Sequence, residues 1–208
     1  LKAWRHGTDR QNNILIGQIA AIMTQFPYSI LTERLSLRRY TSDSANELFN
    51  LVERNRHQLK TSFAPMAEQL IRIANVMEFI NTSTVAWNQG TVYQYGIHRR
   101  FDDKLIGQIK IKNVNVEKSA IELSYFIDQA WQRKGFAKES VMAIMRLAFE
   151  KMHFKKINVR IIESNIESLH LANRLGFVEE QIRKHDFVCG FGEVHDVHYL
   201  GLHNRNLH

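Results

Sequence analysis

Ile121-Glu-Leu-Ser-Tyr-Phe-Ile-Asp128, then Gln129-Ala-Trp131, then Gln132-Arg-Lys-Gly-Phe-Ala137, is an apolar run of strand length that feeds a glycine-containing turn and opens directly into a helix. From Gly135 to Met152 the apolar residues Ala137, Val141, Ile144, Met145, Ala148, Phe149 and Met152 recur at helical spacing. A turn of this kind leaves several backbone N–H groups unpaired at the positive end of the helix dipole, which is what a bound phosphate requires. Gly135 permits close backbone approach. Arg133, Lys134 and Lys138 stand beside that positive pole, where each cation is disfavoured by a few tenths of a kcal/mol, and a bound polyanion reverses the penalty. For the charges alone, solvated loop residues are an equal reading; the glycine turn decides for the phosphate.

Upstream, Leu35, Leu37 and Arg39 alternate with Arg34, Ser36 and Arg38 as in a half-buried strand. Thr41 or Ser42 can cap a helix carrying Ala45, Leu48, Phe49 and Val52, and a second helical pattern runs from Met66 through Leu70, Ile73 and Val76 to Phe79. Thr91 to His98, Leu105 to Lys112 and Ile121 to Ile127, separated by polar turns, read as a three-strand antiparallel meander. Downstream, Ile157 to Ile162 is strand-like and completes a strand, helix, strand crossover. Asn165 opens a short helix stopped by Gly176, and strands over roughly Phe177 to Phe187 and Val194 to Leu202 follow. The expected fold class is mixed α/β.

The 208 residues are 44% apolar and 24% charged with two prolines, enough for one full core and inconsistent with disorder, collagen or a small disulfide scaffold. Residues 1–30 are expected to form an N-terminal extension with one packing helix, and residues 31–208 the domain proper. A net charge of +7 favours an anionic ligand without naming it. The lone Cys189 forms no internal disulfide and no signal-peptide pattern opens the chain, which suits a reducing cytoplasm. Apolar stretches such as Ile14 to Met23 are too short and interrupted to span a bilayer, so no membrane partner is expected.

Gln132-x-x-Gly135-x-Ala137 resembles the acetyl-CoA pyrophosphate signature, Q/R-x-x-G-x-G/A, of the GCN5-related N-acetyltransferases. Asn165-Ile-Glu-Ser168 and Leu171-Ala-Asn-Arg-Leu-Gly-Phe177 are similar to the family's N-x-x-S and L-G-F segments, in the same order and spacing. Thr32-Glu-Arg-Leu-Ser-Leu-Arg38, Glu122-Leu-Ser-Tyr125 and Asp196-Val-His-Tyr199 are most like the branch that acetylates the N-termini of ribosomal proteins. The resemblance covers roughly Leu31 to Leu202. Arg133 departs from it, standing where many relatives of this branch carry glycine.

The resemblance implies a mostly antiparallel twisted sheet with one central parallel strand pair, flanked by helices, and direct transfer of acetyl from acetyl-CoA to an amine. It implies cofactor contacts from Phe126, Ile127, Asp128, Gln132, Arg133, Lys134, Gly135, Phe136, Ala137, Lys138, Asn165 and Ser168, with backbone N–H near Phe126 to Asp128 facing the thioester. Glu122, acting through water, is the first candidate base and Asp186 the second; Ser168 is the candidate for contact with the thiol. An α-amine of pKa ~7.8 is about one-seventh neutral at pH 7, whereas lysine near ~10.4 is neutral in under about one part in a thousand, so an N-terminus needs little base. Read without the family, Asn165 and Ser168 are capping residues, Tyr125 is core and Trp131 packs under the loop.

The expected acceptor is a protein N-terminus, ribosomal by the resemblance. The alternative acceptor is a small amine such as a polyamine, with Glu163, Glu167, Glu179 and Glu180 as its candidate carboxylates, or an amino sugar. A non-catalytic CoA-sensing or nucleic-acid-binding module is the alternative of another class. A homodimer is left open. Arg54, Arg56, Arg99 and Arg100 carry no aromatic-basic RNA motif, so no specific nucleic acid is expected. His195 and His198, three apart on a strand, point to opposite faces, and Cys189 has no adjacent activating motif; no metal is expected.

Overall fold

A computed structural model describes residues 26–204. One eight-stranded sheet organises them: β1 (Ser29–Leu31), β2 (Leu35–Arg39), β3 (Tyr93–Arg99), β4 (Leu105–Asn115), β5 (Ala120–Ile127), β6 (Lys156–Ile162), β7 (Val178–Val188) and β8 (Val194–His203), in the order β1-β2-β3-β4-β5-β6-β8-β7. Every neighbouring pair is antiparallel except β5 with β6. The meander, the central parallel pair and the closing hairpin match the expectations from sequence. The helix expected within residues 1–30 lies outside the described residues.

The helices are α1 (Ala45–Ser62), α2 (Ala64–Gln69), α3 (Ile73–Asn88), α4 (Phe136–Arg146) and α5 (Ile166–Arg174). α1 buries Ala45, Leu48, Leu51, Val52 and Leu59 in a cluster with Val76 and Ile80 of α3 and Leu105 and Phe126 of the sheet. α4 buries Val141, Ala143 and Ile144 in a second cluster with Ile109, Ile121, Leu123 and Val159. The segment Met66 to Phe79, whose periodicity reads as one helix, is two. Arg56 donates to the carbonyl oxygens of Ala67 and Leu70, so the last carbonyls of α2 are satisfied by a guanidinium instead of a further turn, and Leu70 plugs the core fully buried. β2 also departs from the half-buried pattern, because Leu35, Ser36 and Leu37 are all covered.

Gly176 ends α5 at φ +87°, as expected of a residue that must enter the left-handed region. Among the described residues, no helix is long and apolar enough to cross a membrane. Trp87, fully buried at the end of α3, meets the edges of Tyr93 and Tyr95 at 5.0 and 4.9 Å between ring centroids. Trp87→Ala is expected to cost about 3–5 kcal/mol in urea unfolding at unchanged far-ultraviolet circular dichroism.

Candidate active site

The parallel pairing of β5 with β6 stops at Leu123 opposite Val159, while β5 stays paired with β4 through Ile127 and β6 with β8 through Ile162. The two central strands therefore part, and the last half of β5 presents one unpaired edge. Asp128 N–H donates to Ile106 O at 2.8 Å, on the β4 side. Successive strand residues turn their N–H groups to opposite sides, so Tyr125 and Ile127, not Phe126 or Asp128, aim N–H at the gap. This corrects the expectation for Phe126 and Asp128. The Asp128 carboxylate is also committed elsewhere, to Arg54 Nε at 2.5 Å and to Ala130 N–H at 3.1 Å, where it caps the turn after β5.

That turn delivers the chain to α4. Gly135 sits at φ +81° as the N-cap of α4, and Arg133 at φ +60° is also left-handed. Alternating hands over consecutive residues curl the backbone into a concave set of donors. The N–H groups of Arg133 through Lys138 have no hydrogen-bond partner among the described residues. Gln132 donates from Nε2 to Ile127 O at 2.9 Å, so its side chain fastens the loop to the strand edge. Lys134 folds back on Ala130 O at 3.0 Å and over the Trp131 ring at 4.4 Å, leaving Arg133 and Lys138 as the cations of the expected set that point to the cavity.

Sequence reading missed Arg34, which donates from Nη1 to Lys134 O at 3.1 Å and from Nε to Glu139 at 2.7 Å. Glu139 also accepts from Thr32 Oγ1 at 2.6 Å and from Arg34 N–H at 2.8 Å. Burial pushes that carboxyl up, but these donors outweigh it and hold it below its ordinary range. An anion in the first turn of α4 is thus tied to the turn between β1 and β2 and kept away from the donor loop. The contacts bridge about a hundred residues of chain, and no local signal announces them.

A cavity of about 430 Å³ runs from this loop to α5, lined by Arg133, Gly135, Lys138, Ser168, His170 and Arg174 among others. A second, of about 410 Å³, opens on Lys110, Lys112, Glu122, Arg160 and Asp186. The two share Phe63, Tyr125, Asn165 and Ser168 at the strand gap. Asn165 caps α5, its Oδ1 accepting from Ser168 N–H at 3.2 Å, and it also lines both cavities. Tyr125, read from sequence as core, is half-buried and hydrogen-bonded to the Ser168 side chain; burial pushes its phenol up to about 12, so it stays protonated.

Glu122 faces the second cavity, buried and held by Asn113 Nδ2 at 2.7 Å, Arg160 Nε at 2.7 Å and Lys112 Nζ at 3.1 Å. Burial pushes its carboxyl up, yet Lys112, Arg160 and Asn113 together hold it below the ordinary range. Asp186, exposed on β7, accepts from the Tyr199 hydroxyl. Trp131 packs against Phe136 at 6.5 Å and under Arg99 at 3.7 Å, as a support for the loop.

Residues 34–178 match the acetyltransferase (GNAT) domain. The chain is 28% identical over 177 residues to the [Ribosomal protein uS5]-alanine N-acetyltransferase of Escherichia coli, covering 80% of this chain and 86% of the relative. It is 23% identical over 180 residues to an uncharacterized N-acetyltransferase, p20, of Bacillus licheniformis, covering 85% and 97%. Its fold is that of RimL, a ribosomal-protein alpha-N-acetyltransferase solved in complex with coenzyme A, at a TM-score of 0.79 and 19% identity, covering 84% of this chain and 97% of the other.

Two predictions follow from this geometry. Gly135→Glu places a carboxylate and a disfavoured backbone hand in the donor loop, and is expected to weaken coenzyme A binding by at least about a hundredfold in calorimetry. Glu122→Gln is expected to destabilise the fold by about 1–2 kcal/mol at pH 7, discounted for the partial exposure of Arg160. Because the folded carboxyl titrates below its unfolded value, the stabilisation is complete above the unfolded pKa and disappears as pH falls through the folded one. Urea unfolding should therefore separate the two proteins at pH 7 and bring them together as the pH falls below the unfolded carboxyl's range and through the folded one.

Proposed function

Because the chain belongs to the GNAT acetyltransferase family and uses acetyl-CoA, we propose that its acceptor is the N-terminal α-amine of a protein, a ribosomal protein in the first instance, met in the cytoplasm. The observation that carries this reading is the state of the two carboxylates in the second cavity. Glu122 is saturated by three donors and drawn down, and Asp186 holds Tyr199. Glu122, held in this way, is a weak base, and an α-amine, unlike a lysine, needs no stronger one. The named relative that acetylates the alanine of a ribosomal protein supports the same choice.

When bound, acetyl-CoA supplies an activated acetyl thioester. The donor loop from Arg133 to Lys138 grips the diphosphate, Arg133 and Lys138 add charge, and Asn165 lies along the arm. The N–H groups of Tyr125 and Ile127 at the gap hold the arm, with the thioester oxygen in reach of a donor, which preorganises the site for developing negative charge. The amine enters from the second cavity and attacks the carbonyl carbon as the C–S bond breaks. The Tyr125 hydroxyl, linked to Ser168, returns a proton to the departing sulfur, while the ammonium proton leaves through water beside Glu122 and Asp186.

Groove charge narrows the acceptor. Lys110, Lys112 and Arg160 face Glu122 and Asp186, so the walls are not acidic. Of the glutamates considered for a polyamine, Glu163 pairs with His195, Glu179 with His198 and Glu180 with Lys156, while Glu167 lines the cofactor-side cavity and not the acceptor one. This opposes a polycation and favours an N-terminal segment that is neutral or acidic, which also removes the conflict between a +7 chain and a basic substrate.

The test follows thiol release from acetyl-CoA over peptides with free or blocked N-termini, lysine peptides, polyamines and aminoglycosides. Free N-termini with acidic or neutral flanks should exceed lysine peptides in kcat/KM by at least tenfold at pH 7, and the rate should rise with pH towards the amine pKa near ~7.8. Turnover of N-blocked lysine peptides or polyamines at equal rate would overturn the reading. Tyr125→Phe should lower kcat by about ten- to a hundredfold with coenzyme A affinity retained.

A further inference from the structure

The tip of the β7–β8 hairpin gathers three side chains that acetyl transfer does not use. Cys189, Glu193 and His195 each bring one ligand-type atom to a common point, all within 4.8 Å of one another. We propose that this cluster is a binding site for a zinc-type divalent cation, with Cys189 Sγ, His195 Nε2 and a Glu193 carboxylate oxygen as ligands and one position left for water. The sequence-based expectation of no metal weighed His195 against His198 and missed the pairing that the hairpin turn makes.

Four observations carry the assignment. His195 is 9% exposed and Cys189 is 4% exposed, and the buried His195 Nε2 has no hydrogen-bond partner among the described residues. A buried ring nitrogen left without a partner is costly, and one aimed at a thiol and a carboxylate has the lone pair a cation needs. The other ring nitrogen, Nδ1, lies 3.1 Å from Glu163 Oε1. A carboxylate on the far nitrogen fixes the tautomer that frees Nε2, the arrangement that orients histidine ligands in zinc sites. His195 Nε2 and Glu193 Oε2 are 3.7 Å apart. Tetrahedral zinc with bonds of about 2.0–2.3 Å puts its ligand atoms roughly 3.3–3.8 Å apart, so this edge is already set. Glu193 is exposed and can adjust, which leaves Cys189 as the ligand whose approach closes the site.

The backbone is prepared for it. Cys189 N–H donates to Glu193 O and Gly192 N–H to Cys189 O, both at 2.9 Å, with Gly192 at φ +83° providing the turn. Phe191 N–H lies 3.4 Å from Cys189 Sγ. The tip is docked on α1 through Gly190 N–H to Lys60 O at 2.7 Å and by Phe191 against His57 at 5.1 Å. A cation here would pin the end of β7, whose Asp186 and Phe187 line the acceptor cavity.

The experiment uses the full chain, reduced and stripped with a chelator, titrated with Co²⁺ and then Zn²⁺. One equivalent of Co²⁺ is expected to give the intense visible bands of a tetrahedral site together with a thiolate-to-cobalt charge-transfer band, displaced by Zn²⁺. Cys189→Ser should abolish the charge-transfer band, and His195→Gln should weaken Zn²⁺ by at least a hundredfold against a chromogenic chelator, while His198→Gln leaves both intact. Zn²⁺ at about a hundred times its Kd should raise the Tm by roughly 5–10 °C, an effect absent from the Cys189 and His195 variants. Both variants are judged on metal-free samples with wild-type circular dichroism; if either misfolds, Cys189→Ala and Glu193→Gln take the same measurements. A pink six-coordinate cobalt spectrum without a thiolate band, or Zn²⁺ affinity unchanged in both Cys189→Ser and His195→Gln, would overturn the proposal. The readout is metal binding, so it stands or falls independently of the acceptor.

Discussion

Everything at the centre of this molecule depends on two parallel strands that pair for four residues and then part. β5 leaves β6 after Leu123 and Val159, yet each keeps its other neighbour, so the sheet stays continuous around an opening. Unpaired strand N–H groups are costly when buried, and here they border a cavity with room for a ligand's own polar groups. The same parting lets the two cavities share Tyr125, Asn165 and Ser168. A cofactor arm and an amine can then meet without either crossing the core.

Electrostatics are divided accordingly. On the cofactor side, Glu139 is paired with Arg34 and hydrogen-bonded by Thr32, and Asp128 is paired with Arg54, so these two carboxylates beside the donor loop are engaged within the protein. Arg133, Lys138 and Arg174 remain without an ion pair among the described residues. Lys110, in the acceptor groove, is lowered by burial and by its neighbour Lys112. The balance of +7 is thus not a diffuse surface property. Part of it is concentrated where a diphosphate and an uncharged or acidic chain would lie.

Periodicity and capping chemistry made the strands, α1, α4 and α5 legible, because each is a local pattern: alternation in β5, the 3.6-residue stripe from Ala137 to Met152, Asn165 at one end of α5 and Gly176 at the other. Elements set by distant partners were not. The break at Leu70 exists because Arg56, on another helix, takes the carbonyls of α2. The donor loop was legible from Gly135, but Arg34 is not local to it. The backbone edge was expected at Phe126 to Asp128, and a shift of one residue reverses which N–H groups face the gap, since strand direction alternates with period two. Tyr125 was read as core because a tyrosine among apolar strand residues usually is; only the gap, a tertiary feature, turns it into a wall of both cavities. Cys189 and His195 escaped for the same reason, lying six residues apart until a hairpin folds one beside the other.

Arg133 shows what such a site asks of its own backbone. An L-residue at φ +60° is disfavoured by about 1 kcal/mol relative to glycine, and nothing among its side-chain contacts offsets that cost. The left-handed turn is retained because it swings consecutive N–H groups to one side, and those groups are useful only to an anion. A glycine there would relieve the strain and keep the donors, but it would lose a cation at the mouth of the cavity, beside Lys138 and Arg174. On the function proposed above, the strain at 133 and the charge at 133 are one device: the backbone accepts an unfavourable hand in the free protein, and a bound diphosphate would return the cost through hydrogen bonds and ion pairing together.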